Sequence, residues 1–249
     1  VIIGVHTPEF EFEKDPENLR QAIQDFQLPF PIVQDNDFKT WRAYNNRYWP
    51  AQYLIDKDGR VRYTHFGEGK YQETEQMIRL LLEEKGTAVE DEIAQLESNL
   101  PNYPRTHETY LGYGRIERFA SPEEIIPDQV SRYTIPNDQP KDTVAYGGQW
   151  MIGEEYAMAQ QGSQLQLRFQ AKEVYVVMRS TGEEPGEVRV LLDDEPISPV
   201  NAGSDVMEGT VTVPKDTIYH LVNYDEPQDG ILQLEFLDPN TEVYAFTFG

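Results

Sequence analysis

Cysteine is absent from all 249 residues. Its absence excludes disulfide bonds, thiolate metal sites and cysteine nucleophiles within this chain, and it leaves the redox compartment unread. Basic residues are scarce as well: 21 Lys and Arg stand against 44 Asp and Glu, a net charge of −23. Residues 128–249 alone hold 7 of the former and 21 of the latter. So acidic a surface repels phosphate backbones and anionic headgroups, so no nucleic acid partner is expected; solubility is the simpler account. No apolar run approaches the ~20 residues of a membrane helix, and no signal peptide opens the chain. The histidines, His6, His65, His107 and His220, show neither H-x-x-x-H nor H-E-x-x-H spacing, so neither a metal site nor a cofactor is expected. No G-x-S-x-G motif or phosphate-binding loop occurs, and no catalytic residue is assigned.

What is present is globular. At 39% hydrophobic and 12% aromatic, 249 residues suffice for two domains, each with a core. The β-branched run Val1 to His6, ended by Thr7-Pro8, reads as a buried parallel strand. Leu19, Ala22, Ile23 and Phe26 recur at helical spacing behind Asp15-Pro16, which predicts a helix over Glu17–Leu28 with Asp15 as its cap. After the extended Phe30–Val33, Asp35-Asn36-Asp37 caps a short helix running to Tyr44. Tyr71 to Lys85 is amphipathic and ends at Gly86.

The sharpest local signal lies between the last two helices. Tyr53 to Ile55 leads into Asp56-Lys57-Asp58-Gly59, and Arg60 to Phe66 then alternates strictly, which predicts a β-hairpin with Gly59 in its turn. A calcium loop would need its glycine at the sixth position and a closing Glu, and has neither here. Pro50 stands just before the first strand, where a missing N–H does least harm, and an aromatic-Pro bond is a candidate for cis geometry.

From residue 130 the period changes to two. Gln164–Gln170, Glu173–Arg179, Glu187–Leu192, Gly209–Val213, Ile218–Val222, Ile231–Leu237 and Val243–Phe248 alternate between turn residues, predicting an antiparallel sandwich of seven to nine strands. The expected organisation is an α/β domain over 1–86, a connector over 87–127 with helical spacing at Val89–Leu96, and an all-β sandwich over 128–249. In the connector, Tyr110, Leu111 and Tyr113 are expected to pack against a domain rather than hang in a bare linker.

Pro50 with Leu54-Ile55-Asp56 and Gly59 resembles the second half of a thioredoxin fold. Val1–Phe10, Thr40–Tyr44, Tyr48–Ala51, Gly67–Glu75 and Thr106–Tyr113 extend the match: the chain resembles the TlpA-like thioredoxin domain of DipZ-type proteins, with a following jelly-roll module like a carbohydrate-binding module. The resemblance implies an extracytoplasmic thiol-disulfide oxidoreductase that exchanges disulfides with a protein substrate and draws electrons from a membrane donor. It also implies a cis proline facing a Cys-x-x-Cys, with the active-site strand and helix upstream of Val1. On this reading the chain is a truncated, cysteine-free C-terminal portion. The lost strand would leave two unpaired ladders in mid-sheet, for the missing segment or a second chain to fill, unless the flanking strands close up or move.

Two sets of site residues follow. Trp49 and Pro50 would shape the substrate groove, because a proline turn offers backbone groups to an extended strand without a rival donor; Trp41 and Tyr48, with Tyr44 and Asn45, would line it or else pack in the core. Trp150 and Tyr156, near Glu154 and Glu155, would form a glycan platform or else pack in the sandwich. The alternative function is a non-catalytic glycan- or partner-binding module with the α/β part as scaffold.

Overall fold

The computed structural model describes residues 1–87, 89, 92–94 and 103–249, which divide into two compact units, Val1–Leu100 and Pro101–Gly249. The first unit contains β1 (Gly4–His6), a 3-10 turn (Glu11–Lys14), α1 (Pro16–Asp25), β2 (Ile32–Gln34), α2 (Lys39–Ala43), β3 (Ala51–Ile55), β4 (Val61–Phe66) and α3 (Tyr71–Glu84). α1 and α2 start where side-chain acceptors meet free N–H groups. Asp15 accepts from Glu17 N at 2.9 Å with Pro16 behind it. Asp35 accepts from Thr40 N and Trp41 N at 3.0 and 2.9 Å, serving α2 from four residues upstream of its first turn. The hairpin turn is held by Asp56, whose carboxylate accepts from Asp58 N and Arg60 N, with Gly59 at φ 81°.

The strands of this unit form two separate pairs. β1 lies parallel to β2, and β3 is antiparallel to β4 from Ala51↔Phe66 to Ile55↔Val61. Among the described residues, neither pair has a further strand on its other edge. The expectation of a buried first strand is therefore corrected: Ile2, Ile3 and Val5 are exposed, because a parallel strand is buried only when neighbours and helices cover it. No residue of α1, α2 or α3 is buried, and Phe10 is the one fully buried hydrophobic residue described in the unit. So little covered apolar area leaves the unit close to marginal. Amide exchange should show it: strands Thr143–Ile152, Gln164–Ser180 and Thr217–Phe236 of the second unit protected near the global limit, β1 to β4 exchanging through openings of a few kcal/mol or less. Equal protection in both units would contradict this account.

The second unit is one continuous antiparallel ladder folded on itself. Its strands are β5 (Thr109–Tyr110), β6 (Val130–Tyr133), β7 (Thr143–Ile152), β8 (Ala157–Ala159), β9 (Gln164–Ser180), β10 (Gly186–Leu192), β11 (Glu195–Pro196), β12 (Thr210–Val213), β13 (Thr217–Phe236) and β14 (Thr241–Phe248). The segments Gln164–Gln170 and Glu173–Arg179, expected as two strands, are halves of β9; Ile218–Val222 and Ile231–Leu237 are joined in β13. The first half of β9 pairs with β7 and the second half with β14, while β13 follows both, so two long strands link the layers. Asp225 to Gly230, which has turn chemistry, is absorbed by an irregularity between Asn223 and Gln228. A single apolar core fills the sandwich, including Leu165, Leu167, Phe169, Val174, Val176 and Met178 from β9 alone. A strand whose alternate residues enter both ends of one core cannot be cut by a local turn signal.

The division at Leu100 and Pro101 differs from a connector over 87–127. Residues 106–127 are stitched into the sandwich: β5 pairs with β14, Leu111 is fully buried, Tyr146 OH donates to Leu111 O at 2.7 Å, and Ala120 N donates to Val144 O. Their turn-rich composition hides long-range pairing. Of the residues expected to be helical over Val89–Leu96, 90, 91, 95 and 96 lie outside the described residues, and 89 and 92–94 belong to no helix; Ala94 N donates to Glu75 of α3.

Candidate functional site

The end of β1 and the turn before β3 meet around a closed circuit of contacts. Trp49 Nε1–H donates to Thr7 O at 3.1 Å, and Thr7 Oγ1 donates to Asp35 at 3.4 Å. The same carboxylate takes the Trp41 N–H, and the Trp41 ring packs on Trp49 with centroids 4.2 Å apart. Four residues from three segments thus fix one another. The Trp49-Pro50 peptide bond is cis, and both residues are exposed. Gly67 N donates to Pro50 O at 2.8 Å, tying the turn to the end of β4.

Asp35 is the buried centre of this circuit. Burial opposes its charge, but the N–H groups of Trp41, Thr40 and Lys39 and the Thr7 hydroxyl outweigh that and hold its carboxyl below the usual range. Its folded value lies below its unfolded one, so its stabilisation is present above the unfolded value and lost as pH falls through the folded value. Asp35→Asn is expected to cost about 1–2 kcal/mol at neutral pH. In acid unfolding series the variant and the parent should converge; a pH-independent difference would contradict the role of the charge.

Of the four groove residues read from the sequence, Trp41, Trp49 and Pro50 belong to this cluster. Tyr48 turns the other way: its ring packs on Phe66 at 5.2 Å and its carbonyl accepts from Asn46 Nδ2. Thr7, Phe66 and the positioning role of Asp35 were missed. Asp35 carried a signal as a helix cap; Thr7 carried none, since its partner lies 28 residues away.

In the second unit the glycan platform loses its larger member. Trp150 is fully buried, Nε1–H donates to Gly147 O at 3.0 Å, and its ring packs between Tyr146 and Phe236 at 4.8 and 5.1 Å. It offers no face to a ligand, because alternation along β7 points Trp150 and Ile152 inward and Gln149 outward. Tyr156 is half-buried against Tyr244 at 5.7 Å. Burial, then the nearby Glu242 and Asp128, raises the Tyr156 hydroxyl above its usual value. Tyr244 donates to Glu242 at 2.6 Å, beside Arg179. Among the described residues, no cluster of three or more His, Asp or Glu is placed to hold a metal ion.

Comparison with known proteins decides the family. Residues 106–249 match the model described as "Thioredoxin like C-terminal domain". The chain belongs to this family. Among its relatives, Protein DipZ of Mycobacterium tuberculosis (strain CDC 1551 / Oshkosh) is 36% identical over 187 residues, covering 73% of this chain and 26% of that protein. The chain thus spans about a quarter of the length of the DipZ relatives it matches. The thiol-disulfide oxidoreductase YkuV of Bacillus subtilis is 29% identical over 83 residues, 33% of this chain and 56% of YkuV. A solved module, CsCBM6-3 of Clostridium stercorarium in complex with cellobiose, has 17% identity and a TM-score of 0.25 over 50% of this chain and 84% of its own, which supports no inference about ligands.

Proposed function

We propose that this chain is the C-terminal portion of an extracytoplasmic thioredoxin-like thiol-disulfide oxidoreductase whose reactive cysteines lie outside it. The circuit of Thr7, Asp35, Trp41 and Trp49, which holds the Trp49-Pro50 turn rigid and exposed at the end of β1, is the observation that carries this reading. In the chemistry, one thiolate attacks a substrate disulfide, expels one substrate sulfur as thiolate and forms a mixed disulfide; a second thiol resolves it, leaving the enzyme disulfide and a reduced substrate. A membrane donor then returns two electrons. This chain supplies neither sulfur. Its part is to present Trp49 and Pro50 to an extended substrate segment.

The two open strand edges fit the same reading. β1 and β3 each have one strand partner among the described residues, and an extended segment pairing with their free edges would satisfy the open N–H and C=O groups. We assign that place to the cysteine-bearing segment, with a second polypeptide as the other occupant. The β-sandwich braces or docks partners. The glycan-module alternative now has Tyr156 without Trp150, and no observation favours it.

Two assays test the proposal. A disulfide-reduction assay on this chain should be blank, and the gene should encode a Cys-x-x-Cys about one strand and one helix upstream of Val1. Turnover by the cysteine-free chain, or a reading frame without that cysteine pair, would overturn it.

A further inference from the structure

The face of the hairpin turned toward α2 carries a groove. Ala43 and Tyr44, at the end of α2, form one side, and Tyr53, Ile55, Val61 and Thr64 form the floor. It continues toward Pro50 through touching rings: Tyr44 on Tyr53 at 4.9 Å, Tyr53 on Phe66 at 6.0 Å, and Phe66 on Tyr48 at 5.2 Å. Tyr48 is 55% exposed, Val61 47%, Ile55 46% and Phe66 43%. Single exposed apolar side chains need no explanation, but a contiguous strip that ends at the proposed substrate turn does.

Charge says what covers it. Residues 42–62 hold five basic and two acidic residues in a chain whose net charge is −23. Arg62 is already taken by Asp56 and Glu84. Arg47, beside Tyr48, and Arg60, between Gly59 and Val61, are exposed, and among the described residues their guanidinium groups pair with no carboxylate. They stand at the two ends of the strip. The exposed Ile78 and Leu80 of α3, by contrast, have Glu73, Glu75, Glu83 and Glu84 on the same helix.

We propose that this groove is a substrate-docking surface for an extended, acidic polypeptide segment with apolar side chains at alternating positions. It rests on the thiol-disulfide reading only in that the segment belongs to the protein whose disulfide is exchanged. An extended chain rises about 3.3 Å per residue, so about eight residues span the hairpin from Pro50 to its turn. Alternation sends one set of side chains onto the aromatic floor and leaves carboxylates at the rim for Arg47 and Arg60.

The probe is a fluorescein-labelled peptide of about eight residues alternating Glu with Leu and Phe, titrated into the 249-residue chain by anisotropy and by amide chemical shifts. Saturable binding is expected, with shifts confined to residues 43–67 and the Lys-for-Glu peptide at least about tenfold weaker. Arg47→Glu with Arg60→Glu should weaken the acidic peptide by about tenfold or more, without altering the spectrum of the free protein, since both side chains are exposed. Four results would overturn the proposal: no saturable binding, equal binding of both peptides, undiminished binding by the double variant, or shifts in the second unit. So would a dimer in sedimentation that protects residues 43–67, for then a second copy is the occupant. Because the chain has no cysteine, binding is read apart from redox chemistry. Peptide binding with no cysteine pair in the reading frame would remove the oxidoreductase reading and leave the groove; a redox-active longer protein that ignores the peptide would do the reverse.

Discussion

Trp150→Ala is expected to destabilise the second unit by about 3–5 kcal/mol, enough to unfold much of it near physiological temperature. The indole is fully buried between Tyr146 and Phe236, so truncation leaves a cavity in a core shared by both layers. It also removes the hydrogen bond from the indole N–H to Gly147 O. Trp150→Phe keeps most of the apolar volume and should cost about 1–2 kcal/mol. The measurement is urea unfolding followed by far-ultraviolet circular dichroism, whose signal does not depend on the indole removed. A loss below about 1 kcal/mol for the alanine variant would mean the ring is not core.

Gly112→Ala is the second large effect, and its cause is space rather than backbone freedom. A Cβ there would lie 2.3 Å from Glu155 C, 2.4 Å from Glu154 O and 2.5 Å from Tyr156 N, all main-chain atoms. No side chain can swing away to relieve that contact. The neighbours cannot yield either: Leu111 N donates to Tyr244 O, Tyr113 N to Gly153 O and Gly114 N to Glu154 O, with bonds of 2.8–2.9 Å. A cost of about 3 kcal/mol, at the upper end of overpacking, is expected together with loss of β5 pairing on β14. Gly162→Ala is the control. It has a φ of 74° and nothing within 4 Å, so it should lose only about 1–2 kcal/mol of backbone strain. Calorimetric melting of both variants checks the ranking, and equal shifts would contradict the packing argument.

What was legible from sequence was local or periodic. The hairpin, the Asp15 and Asp35 caps and α3 up to Gly86 each follow from a few adjacent residues. The inward set of β9 follows from alternation. Even Trp150 was within reach, since Gln149 and Met151 mark the opposite face of β7. What escaped depends on residues distant in the chain. Asp225 to Gly230 looks like a turn until β9 is laid beside it. Residues 106–127 look like a connector until β14 and β7 pair with them. Val5 looks buried until its neighbours are counted. In the candidate site the aromatic residues announced themselves, whereas the Thr7 to Asp35 contact that positions them appears only after folding.

The central claim is that the Trp49-Pro50 turn is the docking wall of a disulfide-exchange site. It is tested most directly in the longest natural polypeptide that contains this chain, by measuring kcat/KM for reduction of a protein disulfide before and after Trp49→Ala. The account predicts a fall of about tenfold or more, carried by KM, with the cysteine pair still reacting normally with a small alkylating agent. An unchanged kcat/KM would show that substrate never touches this turn.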